Sequence, residues 1–370
     1  MELDFDQEQQ QIKDAARRFL ERQCTPALVR RMREEGSPFP DDIWKQMAEL
    51  GWLGLPFDER HGGSQCDWVS LAAVVEELGR ACDPTPFVES VITCGWLLQD
   101  TASEAQLQRW LPSLIAGELR LALAMLEDGS GSQDCAASSL TDSTGTLLLT
   151  GRKLFVEDAA NCDLLVVSAR YQRNGHLCLA LVTPGTRGVE LIRLRSLAHP
   201  DLYEVVLDEV ILPADQVIGI DRDLAPALDR AILRSEAFQS AAAAGGARRV
   251  LELAIAYARE RQQFGRPIGS FQAVQHLLAN AWIDVETAWL AAYEAITHCE
   301  LGLPGAEKIA VARCVSNEAF TRSCFTAHQV FGGMGFMWET DLHLWTRKAK
   351  QIELAFGGLA RARARLAATL

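Results

Sequence analysis

The sequence predicts an α+β chain of several domains: a helical N-terminal segment over residues 1–122, a small β-domain over 123–220, and a helical bundle over 221–370. Apolar residues recur at helix spacing in the first and last thirds. Short β-branched and apolar runs, punctuated by Gly, Asp, Asn and Pro, fill the middle. Size agrees with both observations. A chain of 370 residues, 48% hydrophobic and 23% charged, has core enough for two or three domains.

In the first segment Ile12, Ala15, Ala16 and Phe19 fall on one helix face, as do Ile43, Met47 and Leu50, and then Leu71, Val74, Val75 and Leu78. Gly51, Gly54, Gly62 and Gly63 separate these runs as turn residues, and Trp44, Trp52, Trp68 and Trp96 read as core anchors. The texture changes near Leu123. Strand-like runs follow at 147–149, 164–167, 177–182 and 205–210. From about Asp221 the pattern is helical again. Four alanines at 241–244 and the pair Gly245, Gly246 give this helix a small-residue face that admits close packing. No internal repeat or low-complexity stretch appears.

Charge narrows the partners. A formal net charge of -13 and a pI near 5.1 oppose binding to nucleic acid or an anionic membrane, both of which repel a net anion. No apolar run reaches membrane-spanning length, and the acidic start MELDFDQEQQ reads as neither signal nor transit peptide. Ten cysteines lack a C-x-x-C or other metal spacing, and seven histidines form no ligand pair. The expectation is reduced thiols in a cytoplasmic protein without a metal.

Residues 257–276, YARERQQFGRPIGSFQAVQH, organise the rest. Gly265 and Pro267 break a helix, and a second helix is expected from about Ser270. Arg259, Arg261 and Arg266 gather at the break, Gln263 and Gln272 add amide donors, and Phe264 adds a flat apolar face. Such a turn suits an extended anion carrying a ring, because guanidinium pairs bidentately with phosphate. By composition alone the run also suits a solvated, salt-bridged helix end. The pattern Y-A-x-x-R-x-Q-F-G-x-x-I-x-x-F-Q resembles a signature of the acyl-CoA dehydrogenase flavoprotein family. The texts FPDDIWKQMAELGWLGLPFDERHGG and VVEELGR resemble that family's helical N-terminal domain, so the likeness spans essentially the whole chain.

The resemblance implies a helical domain, a β-barrel-like middle domain and a C-terminal four-helix bundle. It also implies FAD as cofactor, with Arg261 and the following Gln263 and Phe264 reaching across a subunit interface to the FAD diphosphate of the neighbour. His328-Gln329-Val330-Phe331-Gly332-Gly333-Met334-Gly335-Phe336 looks like the family's Q-x-x-G-G-x-G-[YF], 68 residues after Arg261 counted to Gln329. A lone G-G-x-G is more often just a turn. In the family's order it implies that Gln329, Gly332 and Gly333 contact the adenosine-diphosphate part. The glycines leave backbone N–H groups open to it.

The implied chemistry is α,β-dehydrogenation of an acyl-CoA: a carboxylate takes the α proton while the β carbon gives hydride to flavin. Its residues are largely missing. Counting on from Arg347-Lys348-Ala349-Lys350, the family's Y-E-G-[TS] falls on Ala355-Phe356-Gly357-Gly358, so a phenyl ring stands where the base belongs. The alternative base position, 26 residues before Arg261, is Ser235. Glu236 adjoins it, about 100° round a helix, and is the fallback base; Glu353 is a poorer one. The flavin-ring loop T-E-P-x-x-G-S-D becomes Leu126-Glu127-Asp128-Gly129-Ser130-Gly131-Ser132-Gln133, losing a hydroxyl and a proline. W-I-T becomes Phe155-Val156-Glu157, which sets a carboxylate beside a ring that gains negative charge on reduction.

The expected protein is a family subunit that keeps the interface half of the FAD site and lacks the catalytic half. That is the arrangement of α2β2 dehydrogenases of steroid side-chain catabolism, in which a homologous subunit carries the base. The rivals are a homotetramer with Glu236 as displaced base, and a non-enzymatic scaffold or CoA-ester-binding protein. Acyl-CoA is the expected substrate class, and an electron-transfer flavoprotein the candidate acceptor.

Overall fold

The computed structural model describes residues 5–36, 38–128, 137–143, 145–198 and 201–369. Among the described residues six α-helices come first: α1 (Gln7–Gln23), α2 (Pro26–Glu35), α3 (Asp41–Glu49), α4 (Trp68–Arg80), α5 (Trp96–Thr101) and α6 (Glu104–Ile115), with a π-helix at Phe87–Gly95 running into α5. Local chemistry sets their starts. Asp6 and Gln9 form a capping box on α1, Ser103 and Gln106 another on α6, and Asp67 caps α4. Thr25 caps α2, Pro26 opens it, and Gly36 in the left-handed region ends it.

Among the described residues eight strands follow: β1 (Leu121–Ala124), β2 (Ser139–Ser143), β3 (Thr146–Glu157), β4 (Leu164–Tyr171), β5 (Leu177–Val182), β6 (Val189–Leu194), β7 (Leu202–Leu212) and β8 (Val217–Ile218). They form one mixed sheet in the order β6-β7-β3-β2-β4-β5-β8, with β1 parallel to β4. Each apolar run read from the sequence lies in a strand, and Leu140, Leu149, Leu165, Val167, Ala180 and Val205 meet in its core with no exposure. The helices return as α7 (Ala225–Glu260), α8 (Gln272–Glu300), α9 (Ala306–Phe331), α10 (Leu342–Leu354) and α11 (Gly358–Thr369). A two-strand ladder, β9 (Gln262–Gln263) and β10 (Arg266–Pro267), lies between α7 and α8.

The chain packs as two compact units, each discontinuous in sequence. One joins Met1–Ser37 and Asp67–Pro84 to Glu236–Leu370; the other joins Pro38–Cys66 to Thr85–Ser235. In the first unit the small-residue face of α7 receives α4. A Cβ on Gly79 would lie 1.9 Å from the Ala242 carbonyl oxygen, and one on Gly245 would lie 2.0 Å from that of Glu76. Gly246 likewise admits the Phe320 ring of α9. Trp44, Trp52 and Trp96 are buried as expected. Trp68 is half-buried and packs on Phe238 at 6.0 Å.

Candidate active site and cofactor interface

Helix α7 ends at Glu260, and the chain reverses in a tight hairpin whose tip residues, Phe264 and Gly265, have φ of 52° and 77°. Two successive positive φ values are what a two-residue hairpin demands. The turn pushes Phe264 out to 91% exposure. Arg261, Gln263 and Gln272 are all exposed beside it. Arg266 is partly committed, its guanidinium 4.1 Å from the centre of the Phe271 ring. At the far end of α9, Gln329 is exposed, and Gly332 turns the chain at φ 59°, ψ -137°, a backbone essentially reserved for glycine. Among the described residues, and apart from their own chain neighbours, nothing lies within 4 Å of where a Cβ would stand on Gly332 or Gly333. Tyr257 stacks on Phe331 with ring centres 4.2 Å apart, which sets the two motifs side by side. Exposed guanidinium, exposed amides and uncovered glycine backbone form a donor set that fits a diphosphate. Apolar side chains also face solvent in this unit: Trp282, Ile283, Phe325 and Phe336, the last 80% exposed.

The residues that the resemblance assigns to the flavin ring lie in the β-containing unit. Residues 129–133 of the loop lie outside the described residues. At its start Leu126 offers no hydroxyl, but its carbonyl accepts the Leu154 N–H at 2.8 Å. Glu127 is buried and accepts Lys153 Nζ at 2.5 Å and the Ser138 N–H at 3.0 Å, and it also accepts the Ala137 N–H. Burial pushes this carboxyl up, yet Lys153 and the donors at Ser138 and Ala137 outweigh it and hold it below the usual carboxylate range. The loop's two ends are therefore stapled together. Phe155 sits at a bulge in β3, with φ 56° and 58% exposure, a strained and outward aromatic of the kind found at ligand walls. Beyond it the surroundings turn acidic. Glu89, on the π-helix, accepts the Leu123 N–H at 2.9 Å. Burial, and next Glu157, push it up to about 8, with Asp158 adding to the rise. The Glu157 carboxyl and the lack of a hydroxyl at 126 or 157 fit the flavin ring poorly. The ring half does not match its expected ligand as the diphosphate half does.

The position that the resemblance assigns to the base holds a phenyl ring. Phe356 is buried, in the left-handed region at φ 52°, ψ 33°. Ser235 is fully buried and shares a 2.7 Å hydrogen bond with Thr93. Glu236 is 2% exposed, and its Oε2 accepts Arg365 Nη1 at 2.5 Å. Burial raises its proton affinity; the nearby Arg365, Arg313 and Arg361 work against that rise without cancelling it. Glu353 is held by Lys350 at 2.6 Å and Thr321 at 3.2 Å.

Glu89, the Glu127–Lys153 pair and Arg313 were not singled out by the sequence. Glu127 sits inside the first altered ring motif and Lys153 two residues before the second, so attention to these stretches would have found them. Glu89 carries no local signal. Its setting comes from a π-helix, which helix-spacing arguments do not detect.

The N-terminal domain of acyl-CoA dehydrogenases matches residues 6–118, and their C-terminal domain matches residues 230–370, together more than half the chain. "Probable acyl-CoA dehydrogenase YngJ" of Bacillus subtilis (strain 168) is 28% identical over 370 residues, covering 96% of each chain. A glutaryl-coenzyme A dehydrogenase in complex with glutaryl-CoA superposes with a TM-score of 0.93 at 25% identity, over 99% of this chain and 96% of that one. The ChsE4–ChsE5 complex from Mycobacterium tuberculosis superposes with a TM-score of 0.90 at 26% identity, over 100% and 98%. Helical domain, central sheet and C-terminal helices define the acyl-CoA dehydrogenase class of FAD-dependent oxidoreductases. This chain belongs to the acyl-CoA dehydrogenase family. Among the described residues no helix is long and apolar enough to cross a membrane.

Proposed function

We propose that this chain is the base-lacking subunit of a heteromeric acyl-CoA dehydrogenase. Its motifs at Arg261 and Gln329 complete the FAD site of a homologous, base-carrying partner. The observation that carries this reading is Phe356 buried at the base position while Glu236 is ion-paired to Arg365. A buried, paired carboxylate is poorly placed to exchange protons with a substrate carbon. The exposed donor set and the exposed Phe264 and Phe336 support a second chain docking over the diphosphate motifs. The similar ChsE4–ChsE5 structure is a complex of two differently named chains, which supports the heteromer. On this reading the complex dehydrogenates a bulky acyl-CoA such as a steroid side chain, in the cytoplasm, and passes electrons to an electron-transfer flavoprotein. The assembly is α2β2.

The ordinary homotetramer has one point in its favour, the raised proton affinity of Glu236. Expressing the chain alone and with a base-carrying homologue, and recording flavin absorbance and acyl-CoA turnover, tests the two. Flavin and turnover only in the co-expressed complex support the heteromer.

A further inference from the structure

Phe356, Gly357 and Gly358 hold three successive positive φ values, 52°, 89° and 71°, where α10 passes into α11. Glycine takes such angles freely, but a buried phenylalanine does so only where its surroundings over-determine the backbone. Here they do. Arg313 of α9 has no exposure; its Nη2 donates to the Ile352 carbonyl at 2.5 Å and the Ala355 carbonyl at 3.1 Å, and its Nη1 to Gln239 Oε1 at 2.8 Å. Arg361 Nη1 donates to the Phe356 carbonyl at 3.3 Å. Two guanidiniums from different helices thus grip the carbonyls on either side of the strained residue. A fully buried Arg313 needs negative charge nearby, because an unpaired ion in the interior is strongly unfavourable. Glu236 supplies it, bonded to Arg365 at 2.5 Å and within electrostatic range of Arg313 and Arg361.

We propose that Glu236, Arg313, Arg361 and Arg365 form an ionic clamp that holds the Ala355–Gly358 turn in its left-handed form and loosens when Glu236 takes a proton. The clamp rests on the reading above only in leaving Glu236 no proton to take from substrate. Burial raises the proton affinity of Glu236, so loosening sets in at a higher pH than an ordinary carboxylate would allow. The charged groups that act on Glu236 are Arg365, Arg313 and Arg361; Cys314 on α9, whose thiol burial keeps neutral, and Glu353 on α10, paired with Lys350, act on Arg313. Of these only Glu353 is a second carboxylate, which makes it the control.

Amide hydrogen exchange of residues 355–358 in the isolated chain tests the clamp. Glu236→Gln keeps the shape and removes the charge; it is expected to speed exchange there at least tenfold at pH 7. In the wild type, exchange corrected for its intrinsic pH dependence should rise toward the Glu236→Gln level as pH falls from 7. That response should be absent in Glu236→Gln and intact in Glu353→Gln. Should Glu236→Gln fail to fold, Arg361→Met, which removes the bond to the Phe356 carbonyl, should show the same rise. Exchange unchanged by these substitutions, or a wild-type pH response that survives in Glu236→Gln, overturns the clamp. Faster exchange in a chain that takes no flavin with any partner keeps the clamp and overturns the heteromer. Lost turnover in Glu236→Gln with unchanged exchange overturns both.

Discussion

Glu236 Oε2 and Arg365 Nη1 lie 2.5 Å apart inside the C-terminal helices, though 129 positions separate them in the chain. On the proposed reading that contact takes the fallback base out of service. Glu236→Gln should therefore leave turnover of the reconstituted complex within about threefold of wild type, under roughly 0.7 kcal/mol in the barrier. A displaced base would instead lose about a hundredfold or more, since positioned bases contribute roughly 10²–10⁴. Steady-state kinetics with flavin content matched decides between them.

Arg261 is exposed in the chain by itself. Arg261→Ala should leave the circular-dichroism melting curve of the isolated chain unmoved while weakening flavin retention by the complex. A charge-assisted bond of about 1.5–3 kcal/mol corresponds to roughly tenfold to a hundredfold in affinity. Unchanged flavin retention would show that Arg261 has no part in holding the cofactor.

Two glycines separate packing from binding. Gly245→Ala places a Cβ 2.0 Å from the Glu76 carbonyl oxygen and should cost about 1–3 kcal/mol or more of stability. Gly333→Ala meets nothing within 4 Å, so the isolated chain should keep its stability within about 0.5 kcal/mol. Flavin retention by the complex should fall with Gly333→Ala, if a diphosphate approaches that backbone. Urea unfolding and flavin absorbance read the two effects independently.

Glu89 gives a pH prediction whose sign is fixed. Its carboxyl is raised to about 8 in the fold, above the 4.5 of the free group, so the folded chain keeps a proton that the unfolded chain loses. Its contribution is full below about pH 4.5 and declines as pH rises to about 8. Glu89→Gln should flatten that decline, so the variant gains on the wild type between pH 6 and pH 8. Parallel slopes of unfolding free energy against pH in the two proteins would show that Glu89 ionises normally.

Much of this was legible in the sequence because its causes are local. Arg261 and Gln329 sit in contiguous motifs, Gly265 and Pro267 break the helix where the hairpin forms, and residues 241–246 announce a close helix contact. The beginning of α8 at Gln272 lies two residues from the expected start. What stayed hidden depends on partners distant in the chain. Nothing beside Glu236 announces Arg365, and nothing beside Phe356 announces that Arg313 and Arg361 hold its neighbourhood. The acidic character beyond Phe155 was half visible, since Glu157 stands in the motif while Glu89 arrives from a π-helix.

The central claim is that this chain completes a cofactor site and does not carry one whole. Flavin absorbance near 450 nm, per mole of protein, measures it on the chain purified alone and on the chain purified with a base-carrying homologue. The account predicts little or no flavin in the first and one FAD per pair of chains in the second. Stoichiometric flavin in the chain alone would contradict it.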